Sequence, residues 1–174
     1  MVMEKITLSE GLMAKMMESE AWKNISGNYP FSEVQLEKFA DKVDWEEISG
    51  NNDIAWTVSM LEKFKDRLHW DKLAGNRSDE FSCIDLLEKF KDCWDWDEYS
   101  DSGTLTMEIL EKFADRLNWK NVINNWSSLQ DLDVKAVLDK FEDRIPATEF
   151  KDSYLWRELV ERKEKEVKKT LSLG

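Results

Sequence analysis

One histidine, two cysteines, two prolines and six glycines are scattered through 174 residues, and each shortage removes a class of function. A single His69 and two distant thiols cannot assemble a zinc site or a nucleophile with its base. Cys83 and Cys93 show no CxxC spacing, and they stand ten positions apart on a stretch that reads as one helix. That helix would separate them by about 15 Å of rise, too far for a disulfide. So few glycines leave no phosphate-cradling loop. No apolar run approaches the ~20 residues that cross a bilayer, and no signal-peptide core follows Met1, so the expectation is a reduced, intracellular, cytoplasmic protein without a membrane span. Basic charge is also short: 25 Lys and Arg stand against 37 Asp and Glu, for a net charge of -12. Such a surface repels nucleic-acid phosphate and acidic lipid headgroups, which argues against direct nucleic-acid or membrane binding. Residues 157–174 are the exception, with six basic and four acidic side chains.

Aromatics, in contrast, are plentiful, with nine Trp and eight Phe. LEKFADKVDW at 36–45 returns as LEKFKDRLHW at 61–70 and LEKFADRLNW at 110–119. Taking the Phe as position 0, Phe39, Phe64, Phe90, Phe113 and Phe141 recur at spacings of 25, 26, 23 and 28. At +6 from the first four stand Trp45, Trp70, Trp96 and Trp119, and three residues on Ile48, Leu73, Tyr99 and Val122. A period this short is the mark of stacked supersecondary units. Apolar residues at -3, 0 and +4 predict an amphipathic first helix of about three turns, and the Trp segment predicts a second of about two.

Ser32 with Gln35, then Thr57, Ser82, Thr106 and Asp133, are the expected N-caps of the first helices, and Asp44 with Glu47 that of a Trp helix. Gly27, Gly50 and Gly75 are placed for left-handed C-caps. A degenerate first copy is read from Met13, Met16 and Trp22, capped by Ser9. Pro146-Ala147 interrupts the last, and a longer, polar closing helix is expected from about Ser153. The expected architecture is all-α: a single domain over 1–174, a right-handed, curved, α-solenoid-like stack of about five or six hairpins. Its copies span about 8–30, 31–53, 54–79, 80–104, 105–130 and 131–152, with a capping helix over 153–170. A two-turn helix beside a three-turn helix cannot bury its own Trp and Phe, so the next copy has to cover them.

The pattern resembles short Trp-containing helical repeats of the form LSxxx[IL]xxFxDx[VL]xWxx[IL]S, found in uncharacterised proteins of phages, large DNA viruses and gut bacteria. The resemblance spans roughly residues 9–145; Ala147 departs from it in the sixth copy. It implies an architecture and brings no catalytic residues with it.

Two sets of residues are candidates for partner binding. The first is the carboxylate row at -2 and +2, comprising Glu37, Asp41, Glu62, Asp66, Glu88, Asp92, Glu111 and Asp115, continued by Asp139 and Asp143. Its structural reading pairs the +2 Asp with the Lys at -1 of the same helix, or has it accept from the turn into the Trp helix. Its functional reading is a ridge that imitates a nucleic-acid backbone in a partner's basic groove. The second set is Tyr29, Trp56 and Trp126, which fall at copy junctions and are expected to be exposed anchors. The Trp ladder and Trp94 are expected in the core, and His69 at a helix start. No cofactor, metal or catalytic residue is expected. The functional expectation is a non-catalytic protein binder with a basic partner, most concretely a phage-type inhibitor of a host defence protein such as a CRISPR effector. A structural scaffold, or an enzyme using carboxylates on a concave face, are the alternatives.

Overall fold

The computed structural model describes residues 10–76 and 79–172, and these contain helices and turns but no strand. Twelve α-helices and three short 3-10 segments are present among the described residues. Two compact units divide the chain, Met1–His69 and Trp70–Gly174.

In the first unit, α1 (Glu10–Ser26) leads to α2 (Glu33–Lys38), α3 (Trp45–Gly50) and α4 (Val58–Phe64). In the second, α5 (Trp70–Ala74) is followed by α6 (Ile84–Lys89), α7 (Trp96–Ser102), α8 (Met107–Lys112) and α9 (Trp119–Val122). Then come the one-turn α10 (Trp126–Leu129), α11 (Val134–Phe141) and the long α12 (Tyr154–Ser172). The capping logic holds at most starts. Ser32 and Gln35 form a reciprocal capping box, and Asp44, Thr57, Thr106 and Asp133 each accept from backbone N–H groups of the first turn. Ser153 caps the closing helix by accepting from the Trp156 N–H.

Several expectations need correction. The Phe helices run six to eight residues, not three turns. Beyond the Phe the chain turns, with Val43, Leu68, Trp94 and Leu117 N–H bonding back to the Phe carbonyl four residues earlier. That bond keeps the +4 side chain on the buried face, which is why the apolar stripe outruns the helix. The first copy is one continuous 17-residue helix, not a hairpin. Ser82 ends a 3-10 turn, and Cys83 takes the cap position of α6 without a side-chain bond. Cys83 and Cys93 flank α6 instead of sharing it, and both are free. No described residue has a positive φ, so Gly27, Gly50 and Gly75 are not left-handed caps. Gly103 is needed for a different reason: a Cβ there would sit 2.6 Å from the Tyr99 carbonyl oxygen. Ser9 lies outside the described residues.

Coverage of each copy by the next is observed directly. Trp22 stacks on Phe39, Trp45 on Phe64, Trp70 on Phe90, Trp96 on Phe113 and Trp119 on Phe141, with ring centroids 4.8–5.5 Å apart. Trp119 is buried, whereas Trp22, Trp45, Trp70 and Trp96 are half-buried; Lys42 and Arg67 lie over the Trp22 and Trp45 rings, and Trp94 meets Trp70 edge-on. The indole N–H is satisfied locally: Trp45, Trp96 and Trp119 donate to the carbonyls of Ala40, Lys91 and Ala114.

Candidate partner-binding surface

Copies are also joined by polar contacts that repeat in register. Four residues past each of three Trp stands a buried serine, Ser26, Ser49 or Ser100. Its Oγ donates to the Trp carbonyl one turn back and accepts the backbone N–H that opens the next Trp helix, that of Asp44, His69 or Asn118. Each hydroxyl is thus saturated, as a buried polar group has to be. Six residues past Trp45 and Trp119 stand Asn51 and Asn125, 1% exposed. Their amides each donate to two carbonyls of the preceding copy, Ser26 and Tyr29 or Ser100 and Gly103. The serine ends the repeat pattern and an asparagine stands six residues past Trp45, Trp70 and Trp119, but neither spacing names the distant backbone group that the side chain meets.

The carboxylate row is built on the same register. Asp41, Asp92 and Asp115 at +2 do not pair with the lysine of their own helix. Each meets the arginine at +3 of the following copy, Arg67 at 3.5 Å, Arg116 at 2.9 Å and Arg144 at 2.6 Å. The same guanidinium donates to the carbonyl of Ala40, Lys91 or Ala114 that already accepts the Trp indole. In the first copy Glu18 and Lys42 occupy the equivalent positions, 3.1 Å apart, and the ammonium holds the Glu18 carboxyl below its ordinary range. One step away, the lysine at -1 reaches back to the glutamate at -2 of the preceding copy, as Lys63 to Glu37 at 2.7 Å and Lys140 to Glu111. Lys112 and Glu88 form a looser pair at 4.0 Å. Lys63 also meets Glu33; that hydrogen bond lowers the carboxyl pKa and, with the one to Glu37, raises the ammonium's.

Hence the row is laced to the next copy, yet it is not buried. The side chains of Asp41, Asp92 and Asp115 remain 78–93% exposed. Pairs this exposed are worth little stability, up to about 1 kcal/mol. Asp66 has no ion pair among the described residues, and Glu62 also lies on the surface. Asp139 and Asp143 are exposed.

The aromatic set divides. Trp126 is 53% and Tyr29 43% exposed, as expected. Trp56 is 2% exposed, which overturns its role as a surface anchor. It immediately precedes the Thr57 cap, as Phe31 precedes Ser32 and Leu105 precedes Thr106, and all three are buried. A residue just before the cap packs back over the first turn, and counting from the preceding Trp hides this because the junctions differ in length. His69 is exposed, and its backbone N–H, not its ring, makes the contact at the start of α5. No cluster of three or more metal-binding side chains occurs among the described residues, and none of the described helices is long and apolar enough to cross a membrane. A groove lined by Thr104, Thr106, Ser127 and Asp131 opens at the surface beside α10, with a single carboxylate. Comparison of the chain with family models, curated proteins and solved structures gives no match.

Proposed function

We propose that the protein is a non-catalytic, α-solenoid-like repeat that binds a protein partner with a basic surface. One observation carries this reading: carboxylates recur in a fixed register and stay exposed although each of three meets an arginine. An ion pair at high exposure is held weakly, so a partner's guanidinium or ammonium groups can compete for the same oxygens. The net charge of -12 would steer such a partner at long range. The narrower version, an inhibitor filling the nucleic-acid groove of a host defence protein such as a CRISPR effector, draws on that charge and on the repeat resemblance. It adds the requirement that the partner lose its nucleic acid on binding.

Charge reversal would set a lysine against Arg116 or Arg67, so neutralisation is the cleaner test. The variant Asp41→Asn, Asp66→Asn, Asp92→Asn, Asp115→Asn should keep its helical circular dichroism. It should associate about tenfold or more slowly with a partner captured at low salt, and with a shallower salt dependence. Equal binding by variant and parent at low and high salt would refute the carboxylate row and direct attention to Tyr29 and Trp126.

A further inference from the structure

We infer that the chain forms a two-fold, antiparallel dimer in which the exposed apolar stripe of α12 pairs with the same stripe of a second copy of the chain. α12 packs on α10 and α11 through the side that carries Leu155, fully buried, and the half-buried Leu159 and Arg162, whose guanidinium donates to the Leu132 carbonyl. The remaining length, residues 163–172, is exposed throughout. Val160, Val167 and Leu171 fall within an arc of about 40° that lies about 130° round the helix from that packed side. Val167 is 47% and Leu171 75% exposed, and Lys163, Glu164 and Lys168 border them in one shallow groove. A helical end of this length is marginal alone in water, so an apolar stripe along its free side calls for a cover.

The flanking charges select a second copy as that cover. An isologous contact requires each residue to meet a partner that meets it in return, and in an antiparallel pair the same flank of both helices comes together. With Val160 of one copy against Leu171 of the other, helical geometry puts Glu164 beside the second copy's Lys168, and Lys168 beside its Glu164. Those two side chains are already 3.6 Å apart within one chain. The pair thus gathers four groups of alternating sign on one flank, while on the other the Lys163 stem covers Val167. Shifting the register by one turn, Val160 against Val167, would set Glu164 beside Glu164 and Lys163 beside Lys163.

Charge fixes the orientation as well. Residues 70–156, the rest of this unit, hold 20 acidic and 11 basic side chains, against four acidic and six basic in 157–174. A parallel pair would bring two such acidic bodies to the same end of the helices. An antiparallel pair sends them to opposite ends and lays the helix dipoles antiparallel. The overlap, residues 160–172, is about 18 Å of helix, which places the contact in the small, weak and reversible class of interfaces. It uses no residue of the carboxylate row.

The test is a concentration series of the full chain by sedimentation equilibrium and light scattering, from about 10 µM to about 1 mM, the range of a weak interface. The weight-average mass should rise from 20.6 kDa and level off at twice that value, because a two-fold contact closes. Val167→Glu/Leu171→Glu should stay monomeric with an unchanged circular dichroism spectrum. Leu171→Ser, which adds no charge, should weaken the dimer and serves as a second probe should the first variant lose helix. Glu164→Lys and Lys168→Glu should each dimerise about tenfold or more weakly, since each sets like charges together, and an equimolar mixture of the two should regain the parent's association. That recovery cannot come from the ion pair within one chain, which both variants lack. A parent that is monomeric throughout overturns the inference, as does a mass that climbs past the dimer or a mixture that associates no better than either variant alone. So does a dimer untouched by Val167→Glu/Leu171→Glu or by Lys168→Glu, which would give the contact to another face or to a parallel pair.

Discussion

Within the unit Trp70–Gly174, two neighbouring joints hold the same Trp-on-Phe contact by different means. Where Trp96 meets Phe113, the joint is bolted by Ser100 to the Asn118 N–H, by Asn125 to two carbonyls, and by Arg116 to Asp92. Where Trp70 meets Phe90, those positions hold Ala74, Ser102 and Cys93, none of which can do the same. Aromatic bulk replaces them. Trp94 takes the +4 place that Leu117 has next door, and its ring meets Trp70, Phe81 and Tyr99. The Tyr99 hydroxyl then donates to the Phe81 carbonyl, 2.9 Å away, and lies 3.1 Å from that of Thr104, while burial pushes its pKa up. The Trp94 indole N–H is buried without a partner. An unpaired donor costs about 1–3 kcal/mol, which a large buried aromatic offsets. Directional bonds and undirected packing are thus interchangeable at one position of the repeat.

The comparison breaks most visibly at the aromatic joint. Trp94→Ala should lose about 3–5 kcal/mol in chemical denaturation, against about 2–3 for Leu117→Ala at the equivalent site. Equal losses would mean that the cluster adds nothing beyond ordinary core.

A smaller but chemically distinct loss is expected at the bolted joint. Asn125→Ala orphans the buried Ser100 carbonyl, leaves the Gly103 carbonyl only its bond from the Ser128 hydroxyl and removes the side-chain cap of α10, and should cost about 1–3 kcal/mol. Loss of hydrogen-exchange protection in α7 and α9, with α11 unchanged, would locate the damage at the joint. An effect below the detection limit would show that water replaces the amide.

The finest test transplants a bolt. Ala74→Ser offers the Asp95 N–H the acceptor that Ser100 supplies to Asn118. It should raise stability by about 0.5–1 kcal/mol, the net worth of one hydrogen bond. A loss of stability instead would show that the aromatic cluster has shifted the two helices out of serine's reach.

Much of this was legible because it is local. A cap bonds within three residues and an apolar stripe repeats within two turns, so Ser32, Thr57, Thr106, Asp133 and the -3, 0, +4 pattern declare themselves in the chain. The closing helix did too, since Tyr154–Ser172 has a long, polar, uninterrupted helical composition. Helix length is not legible in the same way: a bond from +4 to the Phe carbonyl preserves helical side-chain phase after the helix has ended. The acidic row was legible as a row, but its partners were not. An i,i+3 lysine and an arginine some 25 positions away are equally plausible in one dimension.

What the sequence determined by itself, then, is the repeat, its caps, its buried stripe and its acidic excess, all set by periodicity and by bonds that close within a turn or two. What only the tertiary structure decided is how one copy grips the next. The serine and asparagine bolts, the choice of Arg67, Arg116 and Arg144 for the carboxylates, and the burial of Trp56 all depend on which distant backbone atoms arrive within 3 Å or so of a side chain. Junction lengths that vary from copy to copy are absorbed by the packing, and one-dimensional spacing carries no record of where they place those atoms.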